Sequence, residues 1–317
     1  MAQIGTDRQR AKEFLDAGNV VGIPTETVYG LAGNALNPDA VLKIFQVKNR
    51  PSFDPLIVHT DSLEKLDQFV TFIPGPALLL AKTFWPGPLT ILLPKRDLIS
   101  DLVTAGLPTV AVRIPNHPLT LDLLRSLDFP LAAPSANPFG YISPTTAQHV
   151  ADQLGNLVPY ILDGGSSTIG LESTIIGFEN DKPIVFRLGG MTLDHIEEVI
   201  GSVSVRTHST SNPKAPGMLS SHYAPRKPLI LLPPGESPKP NMRAGALVFR
   251  ELFSGIRTEY QRTLSPTGNL NEAAKNLFVH LRTLDALPID VIYTEPLPNE
   301  GLGWAINDRL RRASVRQ

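Results

Sequence analysis

The chain has 317 residues, of which 42% are hydrophobic and 19% charged, and it contains no cysteine. This length allows two domains of ordinary size, and the lack of cysteine excludes disulfides, thiolate metal sites and a cysteine nucleophile. No apolar run reaches the roughly 20 residues that cross a bilayer, and the N-terminus has no basic-then-apolar signal pattern, so we expect a soluble, cytoplasmic protein without membrane contact.

Charge is unevenly distributed along the chain, although the net charge is only −1. Residues 1–205 hold 14 Lys and Arg against 21 Asp and Glu, a balance of −7, whereas residues 206–317 hold 15 against 9, a balance of +6. Because phosphate neutralisation dominates non-specific nucleic-acid binding, the first part is a poor candidate for binding RNA through its backbone. Any RNA contact by bulk charge falls to the second part.

The first predicted strand ends in a polar segment. After a capped helix that closes at Gly18, the apolar residues 20–23 are typical of a buried strand, which Pro24 ends. Residues 25–33 are dense in hydroxyl groups, and we interpret them as a loop. It follows the carboxyl end of a strand, where open α/β sheets bind ligands.

A helix and a second strand bring cations to the same place. Asn37 and Pro38 predict the start of a helix with Lys48 and Arg50 at its C-terminal end, and residues 55–58 predict a buried strand followed by His59. With the hydroxyl-rich loop, these groups favour an anion-handling site, since Arg presents a planar fork and Lys a compact charge. The alternative is that both cations only complement the helix dipole and that His59 is a satisfied edge residue. Spacing alone does not separate the two.

Two further segments add polar groups to this edge of the sheet. In the strand at residues 109–115, alternation places Thr109 and Arg113 on one face. A buried Arg needs a partner, either a structural one such as Asp101 or Asp122 or, as we favour, a ligand carboxylate. Ser143 with Pro144 predicts the N-terminus of a helix ending near residue 154, which also suits phosphate.

The second half of the chain predicts a linker and a smaller α/β unit. Residues 201–227 lack periodicity, but their APGM and HYAP segments are too rich in rigid and aromatic residues for a passive tether. We therefore expect domains at residues 1–205 and 228–317, joined by a linker or lid at 206–227. Strands alternate with helices in the last domain, which predicts a Rossmann-like unit. The G-x-G-x-x-G motif is not present in it. We interpret the arginines of the last helix as a solvated face; they are Arg309, Arg311 and Arg312.

The whole set of motifs resembles one family. The motifs are PTETVYGLAGNA (24–35), KIFQVKNRP (43–51), PLIVH (55–59), TVAVRIP (109–115), APSAN (133–137), SPT (143–145), ESTII (172–176) and APGM…HYAP (215–225). Together they resemble the YrdC-like threonylcarbamoyl-AMP synthases in their long, two-domain form. The resemblance implies an α/β fold with a mixed twisted sheet of the YrdC-like type and a smaller Rossmann-like C-terminal α/β domain.

The resemblance also implies a reaction. L-Threonine, bicarbonate or CO2, and ATP with Mg2+ would give threonylcarbamoyl-AMP and pyrophosphate. The product would pass to a tRNA threonylcarbamoyl transferase, which completes N6-threonylcarbamoyladenosine in transfer RNA. A monomer is expected. The sequence has no GxxxxGK[ST] motif, so ATP would be bound by another cradle.

Site residues follow from the resemblance position by position. Those that match threonine-contacting positions are Thr27, His59, Arg113, Ser173 and the backbone near Ala133. Those that match ATP-contacting positions are Arg50, Thr109, Ser135, Asn137, Ser143, Arg187 and Tyr223. Asp54 aligns with a nucleotide-contacting position where many relatives have Asn, and an acid there would repel phosphate. Lys48 and Arg50 form the family's Lys-x-Arg pair and would be catalytic by neutralising charge; no protein metal ligand is assigned.

Two other classes of function stay open from the sequence. An RNA-binding module could use the same basic site without catalysis, although the −7 balance of residues 1–205 argues against it. A carbamoyl-transfer or hydrogenase-maturation accessory enzyme is the other alternative. Such proteins usually carry zinc-finger cysteines beside the domain, and this chain has no cysteine.

Overall fold

A mixed sheet of eleven strands organises the first two thirds of the chain. The computed structural model describes residues 2–207, 213–218, 222–238 and 243–315. The strands of this sheet are β1 (Gln3–Gly5), β2 (Val21–Ile23), β3 (Gly30–Asn34), β4 (Ile57–His59), β5 (Leu89–Pro94), β6 (Thr109–Arg113), β7 (Leu131–Ala132), β8 (Tyr160–Leu162), β9 (Thr174–Glu179), β10 (Lys182–Arg187) and β11 (Ser204–Val205). The helices that accompany them are α1 (Arg8–Asp16), α2 (Pro38–Lys48), α3 (Gly75–Phe84), α4 (Asp101–Thr104), α5 (Pro118–Arg125), α6 (Ala147–Leu154) and α7 (Leu193–Ile200).

The strand order is β1-β8-β2-β3-β7-β4-β6-β5-β9-β10-β11, with parallel and antiparallel neighbours mixed. The predicted mixed α/β sheet is therefore confirmed. β4 and β6 are parallel neighbours, and their register pairs His59 with Arg113. Two residues that are far apart in sequence thus end side by side at one edge of the sheet.

A second sheet of four strands forms the smaller unit. Its strands are β12 (Leu229–Leu231), β13 (Ala244–Val248), β14 (Gln261–Thr263) and β15 (Val291–Thr294), and its helices are α8 (Leu270–Ala286) and α9 (Gly303–Ser314). The order is β12-β15-β13-β14, and every neighbouring pair is parallel, as the Rossmann-like prediction requires. The main hydrophobic cluster is continuous from the first sheet to α8 and α9, so the two units share buried apolar contact.

Local signals explain α2. The Asn37 side chain accepts hydrogen bonds from the backbone N–H groups of Asp39 and Ala40, Pro38 occupies the first turn, and Asn49 ends the helix in the left-handed conformation. A side chain at Gly33 would meet the Ala40 carbonyl oxygen at 3.3 Å, so this glycine lets β3 and α2 approach closely.

Two local predictions are wrong. The interpretation of residues 25–33 as loop fails at Gly30, where β3 begins and pairs antiparallel with β2; β3 is buried over most of its length, so it lacks the alternation that marks a half-buried strand. The predicted helix start at Ser143 is also wrong. α6 begins at Ala147, Thr146 caps it, and the Ser143 hydroxyl donates to the Glu172 carboxylate instead.

Within the described residues, no helix is long and apolar enough to span a bilayer.

Candidate active site

A cavity lies where several strands of the large sheet end. The carboxyl ends of four strands point toward it, those of β2, β4, β6 and β10. Its lining consists of Thr25, Thr27, Val28, Gly30, Arg50, Pro55, Ile57, His59, Arg113, Ala133, Pro134, Ser135, Glu172, Ser173, Arg187, Pro216, Gly217, His222 and Tyr223. The structure therefore brings together nine of the predicted site residues: Thr27, Arg50, His59, Arg113, Ala133, Ser135, Ser173, Arg187 and Tyr223.

Arg113 is the centre of one group of side chains. Its Nε donates to the Gly87 carbonyl oxygen at 3.1 Å, one terminal nitrogen donates to Thr27 Oγ1 at 2.8 Å, and the other lies 2.7 Å from Glu26 Oε1. The last contact is an ion pair without an aligned hydrogen bond. The guanidinium is thus oriented on three sides and keeps unused N–H groups for a ligand.

The acid that balances Arg113 is Glu26, and this corrects the suggested partners. Asp101 pairs with Lys95 at 2.6 Å, and Asp122 pairs with Arg125 at 2.9 Å. Glu26 belongs to the segment after β2, far along the chain from β6. No local pattern connects it with Arg113, because the contact exists only once the sheet has formed.

His59 is a neutral polar group beside Arg113. Burial first, and the Arg113 charge second, lower the pKa of His59 to about 3. Among the described residues its Nδ1 has no hydrogen-bond partner. His59 can therefore exchange a hydrogen bond with a bound hydroxyl or carboxylate.

Arg187 and Arg50 supply cations in a second group. Arg187 donates from Nε to the Ser173 carbonyl oxygen at 3.0 Å and from a terminal nitrogen to Ser173 Oγ at 3.0 Å, and burial lowers the pKa of Arg187 to about 10. Arg50 pairs with Asp54 at 2.8 Å and donates to the Pro55 carbonyl oxygen at 2.8 Å. Burial also lowers the pKa of Arg50, although Asp54 opposes this. Both guanidiniums are fixed mainly by backbone, so they are preorganised for an anion.

Lys48 lies behind the cavity wall. Its Nζ donates to the carbonyl oxygens of Ser135 and Asn137, each at 2.5 Å, and it is only 1% exposed. Burial first, and Arg50 second, lower the pKa of Lys48. It holds the turn that carries Ser135, and it does not line the cavity.

Four residues that were expected to contact ATP do not line the cavity either; they are Asp54, Thr109, Asn137 and Ser143. Asn137 donates its amide to the Pro138 and Tyr141 carbonyl oxygens, Ser143 donates to Glu172, and Asp54 pairs with Arg50 and accepts from the Gly217 N–H at 3.4 Å. Thr109 is not brought to this cavity. It lies at the opposite end of β6 from Arg113 and lines a separate, mainly apolar cavity with Phe72 and Phe186.

Besides Glu26, three charged residues in or next to the site were not predicted from the sequence: Glu172, Arg309 and Arg312. Glu172 lines the cavity, and its carboxylate accepts from Ser143 Oγ at 2.5 Å and from Arg309 Nε at 3.0 Å. Burial would raise its pKa, but Arg309 and Arg187 hold the pKa of Glu172 below its ordinary value. Arg309 and Arg312 are 1% and 2% exposed, so the predicted solvated face is wrong for both. Arg309 and Arg312 are three residues apart, so they lie on one face of the helix, whereas Arg311 lies on an exposed face. This spacing could have identified the first two as a pair that faces the core.

Two family models match consecutive parts of the chain. Residues 13–189 match the model of the Sua5, YciO and YrdC family, described as Telomere recombination. The chain belongs to this family. Residues 191–315 match a second model, described as Threonylcarbamoyl-AMP synthase, C-terminal domain.

Relatives of the Sua5/YciO/YrdC family match over nearly the full length. The threonylcarbamoyl-AMP synthase of Pyrococcus abyssi is 41% identical over 96% of this chain and 93% of its own length, and that of Bacillus subtilis is 41% identical over 96% and 92%. A crystal structure of P. abyssi Sua5 complexed with L-threonine is similar with a TM-score of 0.90, at 39% identity, over 97% of this chain and 94% of that one. The resemblance recognised from the motifs is confirmed, and so is the two-unit architecture.

Proposed function

We propose that the protein is an L-threonylcarbamoyladenylate synthase, a nucleotidyltransferase that joins L-threonine, bicarbonate or CO2, and ATP into threonylcarbamoyl-AMP and releases pyrophosphate. One observation carries the proposal: a single buried cavity contains the Arg113 group, suited to an amino acid, and the Arg50 and Arg187 cations, suited to phosphates. The names of the full-length relatives support the same activity.

The Arg113 group would bind threonine. A carboxylate matches the free N–H groups of Arg113, and the threonine hydroxyl matches Thr27 and His59, which contact or adjoin that guanidinium. Ser173 and the backbone near Ala133 complete this side of the cavity. The amino nitrogen of threonine, which carries the carboxylate of N-carboxythreonine, would then be oriented toward the second group of cations.

Arg50 and Arg187 would bind the phosphates of ATP, with Ser135 and Tyr223 beside them. In the chemical step, a carboxylate oxygen of N-carboxythreonine attacks the α-phosphorus, the bond from that phosphorus to the bridging oxygen breaks, and pyrophosphate leaves with the electron pair. This step needs alignment and positive charge rather than a protein nucleophile. The preorganised guanidiniums are suited to that demand.

Mg2+ is part of the proposal as the companion of ATP. The carboxylate of Glu172 is already engaged by Ser143 and Arg309, and the described residues contain no group of three or more side chains able to hold a metal ion. Mg2+ would therefore be held by the phosphate oxygens of ATP rather than by side chains of the described residues.

A lid at residues 206–227, between domains at 1–205 and 228–317, belongs to the same proposal. Residues 208–212 and 219–221 of this segment lie outside the described residues. The rest supports a cover: Ala215 and Met218 are buried against strand residues of the large sheet, and Tyr223 is 1% exposed at the cavity. Such a cover would keep water from a labile carbamate and a mixed anhydride.

We further propose a monomeric, cytoplasmic enzyme whose product passes to a tRNA threonylcarbamoyl transferase. The decisive experiment incubates the purified chain with L-threonine, bicarbonate and Mg-ATP and analyses the products by mass. Threonylcarbamoyl-AMP and pyrophosphate are expected, and neither should form when threonine is omitted or replaced by alanine, which lacks the hydroxyl. Binding of both substrates without product would contradict the proposal, and RNA binding without ATP or threonine binding would favour an RNA-binding module.

A further inference from the structure

Helix α9 of the C-terminal unit contacts a residue of the cavity wall, Tyr223, through two buried arginines. The guanidinium carbons of Arg309 and Arg312 each lie 4.8 Å from the centre of the Tyr223 ring. Asp308 contacts both cations, at 2.8 Å for Arg309 and 3.5 Å for Arg312. Two like charges can therefore share one aromatic ring, because an acid of the same helix offsets their repulsion.

Arg309 also pairs with a carboxylate of the first unit. Its Nε donates to Glu172 Oε2 at 3.0 Å, while Ser143 donates to the other oxygen of that carboxylate. Glu172 lines the cavity, and it precedes Ser173, the residue that holds Arg187. The position of this loop and the neutralisation of its carboxylate thus depend on a side chain from α9.

Helix α8 supports the same two features. A side chain at Gly170 would meet the Lys275 Cα at 2.6 Å and the Ala274 carbonyl oxygen at 2.8 Å, so the loop leading to Glu172 lies directly on the helix backbone. The Phe278 ring stacks on Tyr223, with centres 5.8 Å apart and planes at 25°. α8 and α9 together form the floor beneath Glu172 and Tyr223.

Tyr223 needs such support because its backbone is in the left-handed region, with φ of 67°. A bulky residue adopts that conformation only where its surroundings impose it. The surroundings of Tyr223 include Phe278, Arg309 and Arg312, all from the C-terminal unit. In the described part of the chain, the next residue, Ala224, also donates to the Gly140 carbonyl oxygen at 2.9 Å, so backbone contact with the first unit and side chains of the C-terminal unit hold this conformation together.

We infer that Arg309 is a positioning residue for the nucleotide side of the cavity, acting through the Glu172 carboxylate and the Tyr223 ring. The C-terminal unit then completes the ATP subsite instead of only supporting the linker. This inference rests on the proposed function for the identity of the nucleotide. Loss of Arg309 would leave the Glu172 carboxylate with the Ser143 hydroxyl but without its ion-pair partner, and would loosen Tyr223, whereas among the described residues no hydrogen bond or ion pair joins Arg113 to α9.

The test uses the full chain with Arg309→Gln and measures the dissociation constants of ATP and threonine separately by calorimetry. The ATP constant should rise about ten- to a hundredfold, the size of one charge-assisted hydrogen bond, while the threonine constant should change much less, because only Ser173 on the threonine side adjoins Glu172. Arg309→Lys keeps the charge and should recover part of the ATP affinity. Arg311→Gln, on the exposed side of the same helix, should change neither constant.

A double variant separates positioning from charge neutralisation or a loss of folding. The double variant Arg309→Gln with Glu172→Gln also removes the Glu172 carboxylate that the single variant leaves without Arg309. Its melting temperature should therefore exceed that of Arg309→Gln. Its ATP affinity should stay low, because Tyr223 is still without the Arg309 contact. Full recovery of ATP affinity in the double variant, or equal weakening of both ligands in Arg309→Gln, would overturn the inference.

The same measurements distinguish this inference from the proposed function. Wild-type protein that binds ATP but makes no threonylcarbamoyl-AMP would contradict the reaction alone, since the ATP constants would still report on Arg309. Wild-type protein that binds no ATP would overturn both.

Discussion

Replacing Arg113 with Lys is the sharpest test of how threonine is bound. Lys keeps the charge but presents one nitrogen in place of the planar fork that now contacts Gly87, Thr27 and Glu26. A bidentate contact with the threonine carboxylate would lose one charge-assisted hydrogen bond. Such a bond contributes about 1.5–3 kcal/mol, so the threonine KM should rise roughly 10- to 150-fold.

The ATP KM should change little in this variant. The cations expected to bind the phosphates, Arg50 and Arg187, are held by Asp54, Pro55 and Ser173, and no hydrogen bond joins them to Arg113 among the described residues. A change confined to Arg113 is therefore expected to act on threonine binding alone.

The assay is the initial rate of pyrophosphate release, with threonine varied at saturating ATP and then ATP varied at saturating threonine. Arg125→Lys is the matched control, since the Arg125 side chain is 60% exposed and its one ion pair among the described residues is with the surface residue Asp122. An equal rise in both KM values, or no rise in either, would refute the assignment of Arg113 to the carboxylate. A lower kcat with both KM values unchanged would indicate loss of folded enzyme.

Four further predictions concern Arg50, Lys48, the pH dependence of stability and the lid. Arg50→Ala should lower kcat roughly ten- to a thousandfold, the range for one preorganised electrostatic group, and normal turnover would contradict its catalytic role. Lys48→Met should instead lower stability in urea unfolding by about 1–3 kcal/mol, because the Asn137 carbonyl oxygen loses its donor, whereas the Ser135 carbonyl oxygen still accepts from the Asn137 N–H at 3.1 Å. Stability should fall as pH drops below about 6.5, because the unfolded chain protonates His59 there, whereas the folded pKa is about 3. For His59 alone the loss between pH 7 and pH 5 is roughly 2 kcal/mol, so an unchanged pH dependence in His59→Asn would contradict the assignment. Protease cleavage within residues 206–227 should slow when ATP and threonine are added, and unchanged cleavage together with full product yield after truncation near residue 205 would reduce the segment to a tether.

Features set by neighbouring residues could be predicted from the sequence. The cap and end of α2 follow from Asn37, Pro38 and Asn49, and the strand before His59 follows from its apolar run. Because open α/β sheets place ligands at the carboxyl ends of strands, the polar residues after two of those strands pointed to the cavity correctly. For these features, local sequence contains the physical cause.

Features set by distant contacts could not be predicted in this way. Glu26 balances Arg113, and Arg309 balances Glu172, only because the fold brings separate segments together. Ser143 shows the same effect: next to Pro144 it has every local reason to cap a helix, yet its hydroxyl is used by Glu172. A tertiary contact with a buried carboxylate outweighed a local capping preference.

The concentration of buried cations around one cavity is itself an argument for an anionic ligand. Lys48 and Arg187 are satisfied mainly by carbonyl oxygens, which orient them without cancelling their charge, whereas Arg50 also pairs with Asp54; burial lowers the pKa of all three. Keeping such charges out of water is costly unless a counter-charge arrives. The two acids nearest these cations do not remove the excess: Asp54 pairs with Arg50, and Glu172 is shared with Arg309. A polyanion that entered the cavity would therefore relieve a cost already present in the free protein, and the interaction should grow as negative charge gathers on the departing pyrophosphate. This is the electrostatic arrangement that adenylate formation requires from a site without a protein nucleophile.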